Sequence, residues 1–392
     1  MFFGSRGNFC PATSTWINRG QRVGFRAAGR PAWTPGGACP KVRAQSIGGN
    51  TMLRRRTLLS MPMFAGLAAT ARAQGTDWAK VVETANRQGH LNILHNTPPP
   101  MGDLWLAEFN KAFPAISVEA TRLGSSELMQ RFNTEYGAGA SQNDVLITLW
   151  DDSLAKWQQD GWLRSFVPPE AAAFPDRYKR DNQIYTIQLI RSTLVSNKSR
   201  VREADAPKEW ADCFDPKWKD KFGMDPPWRS VAIQEMLAVW DQLGIKDVPQ
   251  RLKANGVRFF NGSAGVIQAV IRGDIQIAAV IDPPVISALA DGAPVRVVYP
   301  ASAIPSIATV TMLPAKAPHP EVGMVFLNWA MSEVGQQTLV DIVGATVIRP
   351  GTKPPKLVPG LEGQKIVLST EVLTPAKQTA MVNEWRSVFG LQ

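Results

Sequence analysis

Histidine, tyrosine and cysteine are scarce, at three, four and three among 392 residues. His90, His95 and His319 place no two imidazoles on one helical face, so a histidine-based metal centre is hard to build. Tyr136, Tyr178, Tyr185 and Tyr299 include no adjacent pair. Cys10 and Cys39 fall near the N-terminus and leave Cys213 alone in the body. A lone thiol closes no intrachain disulfide, and with no histidine near it in sequence Cys213 reads as a small buried hydrophobe. Acidic residues are missing from positions 1–73, which carry 11 Lys and Arg; the remainder holds 43 − 11 = 32 basic against 33 acidic residues. The net charge of +10 therefore belongs to the N-terminal stretch, and the body lacks the footprint of a nucleic-acid binder. G-x-S-x-G, H-E-x-x-H, a Walker loop and a strand-borne G-x-G-x-x-G are also absent, and Asp151-Asp152 reads as helix capping. No catalysis, no cofactor and no metal are expected.

What is present begins with a leader. Arg54-Arg55-Arg56, a short apolar stretch over 57–70 interrupted by Pro62, and Ala71-Arg72-Ala73 form the three parts of a secretory signal peptide over 52–73. Arg55-Arg56 before Thr57-Leu58-Leu59 resembles a twin-arginine signal; Arg54 stands where that pattern prefers Ser or Thr, so Sec export stays open. Residues 1–51 mix Gly, Arg and Pro without apolar periodicity, and read as a mis-called start or a disordered extension.

A chain of 392 residues that is 44% hydrophobic supports two cores. It alternates helix and strand patterns, with helices starting at Asp77, near Leu104, at Ser125 or Ser126, at Ser230, at Ser263 and over 283–290. Strands are expected over 91–95, 116–120, 144–149, 257–260, 275–281 and 295–299. The C-terminal part is helical over 321–331, 333–343 and 375–389. This rhythm argues for parallel-rich α/β layers in two lobes joined by chain crossovers.

Three helix starts with small polar residues follow strands: Gly124-Ser125-Ser126, Trp228-Arg229-Ser230 and Asn261-Gly262-Ser263. Free N–H groups and the helix dipole there favour an anionic ligand, and plain N-capping is the competing reading. Trp150 and Trp228 stand at strand ends, where an aromatic ring can wall a cleft.

Several stretches carry a resemblance over about 89–349. Gly124-Ser125-Ser126-Glu127-Leu128 precedes Asn143-Asp144-Val145, then Asp160-Gly161-Trp162-Leu163; Trp210 is followed by Asp215-Pro216-Lys217-Trp218-Lys219 and Phe222-Gly223-Met224. Gln268-Ala269-Val270 with Arg272-Gly273-Asp274-Ile275, and Ala317-Pro318-His319-Pro320-Glu321 with Phe326-Leu327-Asn328-Trp329 and Gly335-Gln336, complete the order. Together they resemble family 1 extracellular solute-binding proteins, in the iron(III)-type branch of ABC importer receptors. The resemblance implies a two-lobed, type II periplasmic-binding-protein fold with crossovers near 184–195 and 301–313, and a ligand cleft between the lobes. Lobe 1 is then expected over 76–190 and 303–350, and lobe 2 over 191–302 and 351–392. The branch's adjacent tyrosines are replaced by Asp282-Pro283-Pro284-Val285, and its first-strand histidine region reads Asn96-Thr97-Pro98-Pro99, so the transport role carries over and the iron ligands do not. The expectation is a monomeric periplasmic receptor that closes on a small anionic organic solute and hands it to an inner-membrane ABC permease. The ligand residues expected are Thr97, Ser125, Ser126, Trp150, Arg191, Trp228, Arg229, Ser230, Asn261, Ser263 and Asp282, with Arg191 resembling the hinge arginine of anion-holding relatives. The competing classes are a ferric iron or iron-chelate receptor, an exported α/β enzyme and a periplasmic sensor subunit.

Overall fold

The structure, a computed structural model, describes residues 77–97, 101–151, 153–368 and 371–391, with Met101 as backbone only. The leader, the extension before it, prolines 98–100 and Asp152 lie outside the described residues.

The first alternation runs α1 (Trp78–Gln88), β1 (His90–His95), α2 (Met101–Ala112), β2 (Ser117–Arg122), α3 (Ser125–Gly137), β3 (Val145–Leu149) and α4 (Ser153–Gln159). Single-turn helices then lead to β4 (Lys179–Arg180) and the long β5 (Ile184–Asn197). A second alternation follows: β6 (Phe222–Met224), α5 (Val231–Gln242), α6 (Val248–Ala254), β7 (Arg258–Phe259), α7 (Gly262–Arg272), β8 (Ile277–Ile281), α8 (Asp282–Ala290) and β9 (Val295–Val298). The chain returns through β10 (Ile304–Met312) to α9 (Pro320–Met331), α10 (Glu333–Val343), β11 (Thr346–Val347), β12 (Ile366–Leu368) and α11 (Pro375–Phe389).

Strand order is β2-β1-β3-β10-β5-β8-β6-β7, with β4, β9 and β11 on β5 and β12 on β10. β1 is parallel to both β2 and β3, as short crossover helices require. β5 belongs to both halves. Up to Arg191 it pairs antiparallel with β10, and from Ser192 it pairs antiparallel with β8. The apolar residues divide accordingly. One cluster joins Leu91, Trp105, Phe109, Phe132, Trp157 and Phe326 around the first half of the sheet. Others join Trp210, Phe222, Trp240 and Trp385, and Val266, Val280 and Val285, around the second.

Several local expectations shift. In the helix expected near Leu104, Leu104 itself is turned outward and 49% exposed, while Trp105, Leu106 and Phe109 are buried. The helix has apolar residues on more than one side, and its packing partners choose between them: Trp105 and Phe109 meet Phe326 edge-on, and Trp105 Nε1 donates to the Gly335 carbonyl. Part of the 351–392 segment assigned to lobe 2 packs with the first lobe instead. Leu361, Ile366 and Leu368 join the first cluster, because β12 adds to β10 there. Val367 and the chain from Val372 onward pack with the second half. At Gly344 the left-handed C-cap of α10 meets α8, and a Cβ would stand 2.7 Å from Ile286 Cγ2, so the two halves touch there only because that residue is glycine.

Helix α11 is held by an aromatic stack. Trp385 and Phe389 lie 5.7 Å apart at 8°, and Phe259 and Trp228 close edge-on over Phe389 and Phe259 respectively. Trp385→Ala is expected to cost about 3–5 kcal/mol in urea unfolding, as for a fully buried tryptophan. A loss below about 1 kcal/mol, the size of an ordinary surface change, would show that α11 is not part of this core.

Candidate functional site

The carboxyl ends of β1 and β3 point toward the second half, because β5 runs parallel to β3 and crosses over at that end. The carboxyl ends of β6, β7 and β8 point back toward the first half, since all three run antiparallel to the outgoing part of β5. Each half thus presents a rim of strand ends and helix starts to the other, the arrangement in which α/β lobes collect ligands.

On the first rim, His95 is buried at the end of β1, and the Gly102 backbone passes over its ring, where a Cβ would lie 2.9 Å away. Burial holds the His95 imidazole below its ordinary value; Asp103 opposes that and Arg122 adds to it. Asn96 Nδ2 donates to Ser125 Oγ at 2.7 Å, tying the end of β1 to the first residue of α3. Neither serine caps α3. The N-cap is Gly124, which has no side chain to offer, so Ser125 and Ser126 occupy the first two helical positions and α3 has no side-chain cap. Thr97 is half-buried beside Gly102. Ahead of α4, the Asp151 carboxylate accepts from the Ser153 N–H at 2.8 Å and from its hydroxyl.

On the second rim the structure brings together Asp225, Arg229, Ser230 and Gly262. The Asp225 carboxylate accepts from the Gly262 N–H at 3.1 Å, and the Ser230 hydroxyl and Arg229 lie beside it. Burial pushes the Asp225 carboxyl above the usual carboxylate range, against those three opposing influences. Ser230 and Asn261 stand at the N-caps of α5 and α7 and make no side-chain capping bond; Ser263 is buried in the first turn of α7. Asp225 was missed in the sequence because it follows a strand of three residues, too short for periodicity to mark; Pro226-Pro227 after it was the available signal.

Four expected ligand residues are drawn into the protein's own contacts. Arg191 is fully buried and its guanidinium is taken up by Asp282, Tyr299, the Pro359 carbonyl and Gln364, so neither Arg191 nor Asp282 is placed to grip a solute. Trp228 packs on Phe259 and Phe389 in the stack that secures α11. The Trp150 ring lies under the Arg180 guanidinium at 4.0 Å, in a niche with Tyr178, Thr186 and Leu368. In each case the neighbour that captures the side chain comes from a distant part of the sequence.

Three of the four tyrosines are placed away from the exit of β8, and the fourth, Tyr299, is engaged there by Asp282. Tyr136 and Tyr178 are in the first core, and the Tyr185 hydroxyl donates to the Phe166 carbonyl with its ionisation pushed up to about 12 by burial. Tyr299 donates to Asp282 at 3.0 Å. Among the described residues, no group of three or more His, Cys, Asp or Glu is arranged to hold a metal ion.

The sequence pattern of the family described as bacterial extracellular solute-binding protein matches residues 105–358, well over half of the chain. The chain belongs to that family. A similar protein is the probable ABC transporter periplasmic-binding protein y4fP of Sinorhizobium fredii, 26% identical over 119 residues that make up 30% of this chain and 32% of the relative. The match thus spans about a third of that curated relative's length. Iron-bound HitA from Pseudomonas aeruginosa shares the fold with a TM-score of 0.63 at 22% identity, covering 76% of this chain and 99% of that one. The periplasmic binding protein AfuA from Actinobacillus pleuropneumoniae, solved with exogenous fructose-6-phosphate bound, has a TM-score of 0.62 at 17% identity, covering 78% and 100%. The solute-binding protein therefore has the two-lobed type II fold.

Asp225 gives a pH-dependent consequence. Its folded-state value lies above the unfolded one, so its contribution to stability is present when it is protonated and is lost as pH rises through the folded value. Asp225→Asn keeps an oxygen for the Gly262 N–H and removes the charge. The variant is expected to melt above the wild type at pH 7 in calorimetric scans, with the gap closing below about pH 4. A variant that melts lower at pH 7 would mean that the ionised carboxylate is favoured there.

Proposed function

We propose that the chain is the periplasmic substrate-binding component of an ABC-type importer, acting as a non-catalytic monomer that closes on a small anionic organic solute and delivers it to a membrane permease. The observation that carries this reading is the pair of side-chain-uncapped helix starts, α3 in the first lobe and α5 in the second. Unsatisfied N–H groups at a helix start are donors with a favourable dipole, and Ser125, Ser126, Arg229 and Ser230 add hydroxyls and one exposed guanidinium. Thr97, Asn261 and Ser263 complete the contacts expected of the rims. The α7 start takes a different part, because Asp225 already supplies an anion there. Sugar phosphate bound to AfuA supports an anionic solute as a ligand class that this fold can hold. A ferric reading finds less support, since the hydroxyls of Tyr185 and Tyr299 are engaged within the protein.

The test is a melting-temperature screen with carboxylates, phosphonates and phosphate esters, fructose-6-phosphate among them. A solute at 100 times its dissociation constant adds about 2.7 kcal/mol to the folded state. Arg229→Ala and Ser125→Ala are then expected to weaken binding by roughly tenfold each, the worth of one charge-assisted or neutral hydrogen bond at a wet rim. Small-angle scattering with saturating solute should give a more compact particle. A screen in which ferric citrate or only uncharged solutes raise the melting temperature would overturn the anionic reading.

Export is part of the same proposal. The chain recovered from the periplasm is expected to begin near Gln74, read by N-terminal sequencing. Exported chains that retain residues before Met52 would refute the cleavage.

A further inference from the structure

Arg191 lies where β5 leaves one lobe for the other. Its neighbour across β10 is Ser306, and the next residue, Ser192, already pairs with Ile281 of β8. Its side chain is fully buried and reaches in two directions. Toward the second lobe, Nε donates to Asp282 Oδ2 at 3.0 Å, the Arg191 backbone N–H donates to Oδ1 at 3.1 Å, and Nη2 donates to the Tyr299 hydroxyl at 3.1 Å. Asp282 opens α8, and Tyr299 follows β9, so both belong to that lobe. Toward the first lobe, Nη1 donates to the Pro359 carbonyl at 2.9 Å and to Gln364 Oε1 at 2.8 Å. That segment is anchored to the first core by Leu361 and Ile366, and β12, which begins at Ile366, pairs with β10.

We propose that Arg191 is a positioning residue for solute capture: its planar fork fastens the second lobe to the 359–364 segment of the first and so sets the resting angle of the cleft without touching the solute. The inference rests on the reading of the chain as a binder that closes between two lobes. A rotation about β5 and β10 moves Asp282 and Tyr299 against Pro359 and Gln364, and this guanidinium is hydrogen-bonded to both sides. Arginine suits the place because its donors are fixed in one plane and aimed in several directions at once, whereas lysine offers a single point charge. The charge is matched by Asp282, so changes at the other partners leave no buried ion alone.

The test reads the angle in the absence of solute. Spin labels are placed at exposed positions of the two lobes through Gln130→Cys on α3 and Gln268→Cys on α7, in a full chain carrying Cys10→Ser and Cys39→Ser. Cys213 stays in place, since it is buried and burial pushes its thiol up, away from the reactive thiolate. The parent is expected to give one narrow interlobe distance by pulsed dipolar spectroscopy. Gln364→Leu and Arg191→Lys are expected to broaden that distribution and move its mean, with circular dichroism unchanged; Arg191→Lys keeps the charge beside Asp282 and loses the fork. Either variant folding with the parent's distance distribution and a lowered melting temperature would show a merely structural role and overturn the proposal. Because no solute is present, that failure leaves the capture of an anion standing, and an anion screen that fails leaves this result standing.

Discussion

The buried ion pair between Arg191 and Asp282 is the constraint around which the rest of the molecule is arranged. A guanidinium with no exposed surface is tolerable only when its charge is matched and its donors are filled, and here Asp282, Tyr299, Pro359 and Gln364 do both. Meeting that requirement brings the crossover strand, the start of α8, the exit of β9 and the segment before β12 to one point. The Tyr299 ring, with the guanidinium 4.0 Å from its centre, closes the remaining face. Burial disfavours the ionised form of both Asp282 and Tyr299 and pushes their pKa values up, and the nearby Arg191 charge opposes the shift in each case.

With that junction fixed, the two rims follow from strand direction. β1 and β3 end toward the second lobe, and β6, β7 and β8 end toward the first, so the helices that follow them start on the sides the two lobes turn to each other. The rims are unlike. The first ties Asn96 to Ser125 and leaves the start of α3 without a side-chain cap, whereas the second carries its own carboxylate, Asp225, between the starts of α5 and α7.

The sequence was most informative where one element determines its own form. The C-terminal helices 333–343 and 375–389 were legible to the residue, because Ser332 and Thr374 accept from the first-turn N–H groups of Gly335 and Lys377, and Gly344 and Gly390 end the helices in the left-handed conformation. The crossover strands near 184–195 and 301–313 were expected from the family resemblance alone, since β5 and β10 carry Thr, Ser, Gln and Arg among their apolar residues and yet are buried almost throughout. Short strands escaped: β6 has three residues and β11 two, and neither can show a period. Ser125, Arg229 and Ser230 were found as small polar or charged residues after strands, whereas Asp225 was not, since nothing local marks a carboxylate that will meet the Gly262 amide 37 positions away.

The sequence by itself determined the alternation of helix and strand, the polar helix starts and the confinement of basic charge to the first 73 residues, because each depends on neighbours within a few positions of the chain. Only the tertiary structure decided which of the polar and aromatic residues remain available to a ligand. Arg191 could equally have gripped a solute, and Trp150 and Trp228 could have lined the cleft. Asp282 lies 91 positions from Arg191, and Phe389 lies far along the chain from Trp228. A side chain goes to whichever partner best compensates its burial, and that partner is known only once distant segments have come together.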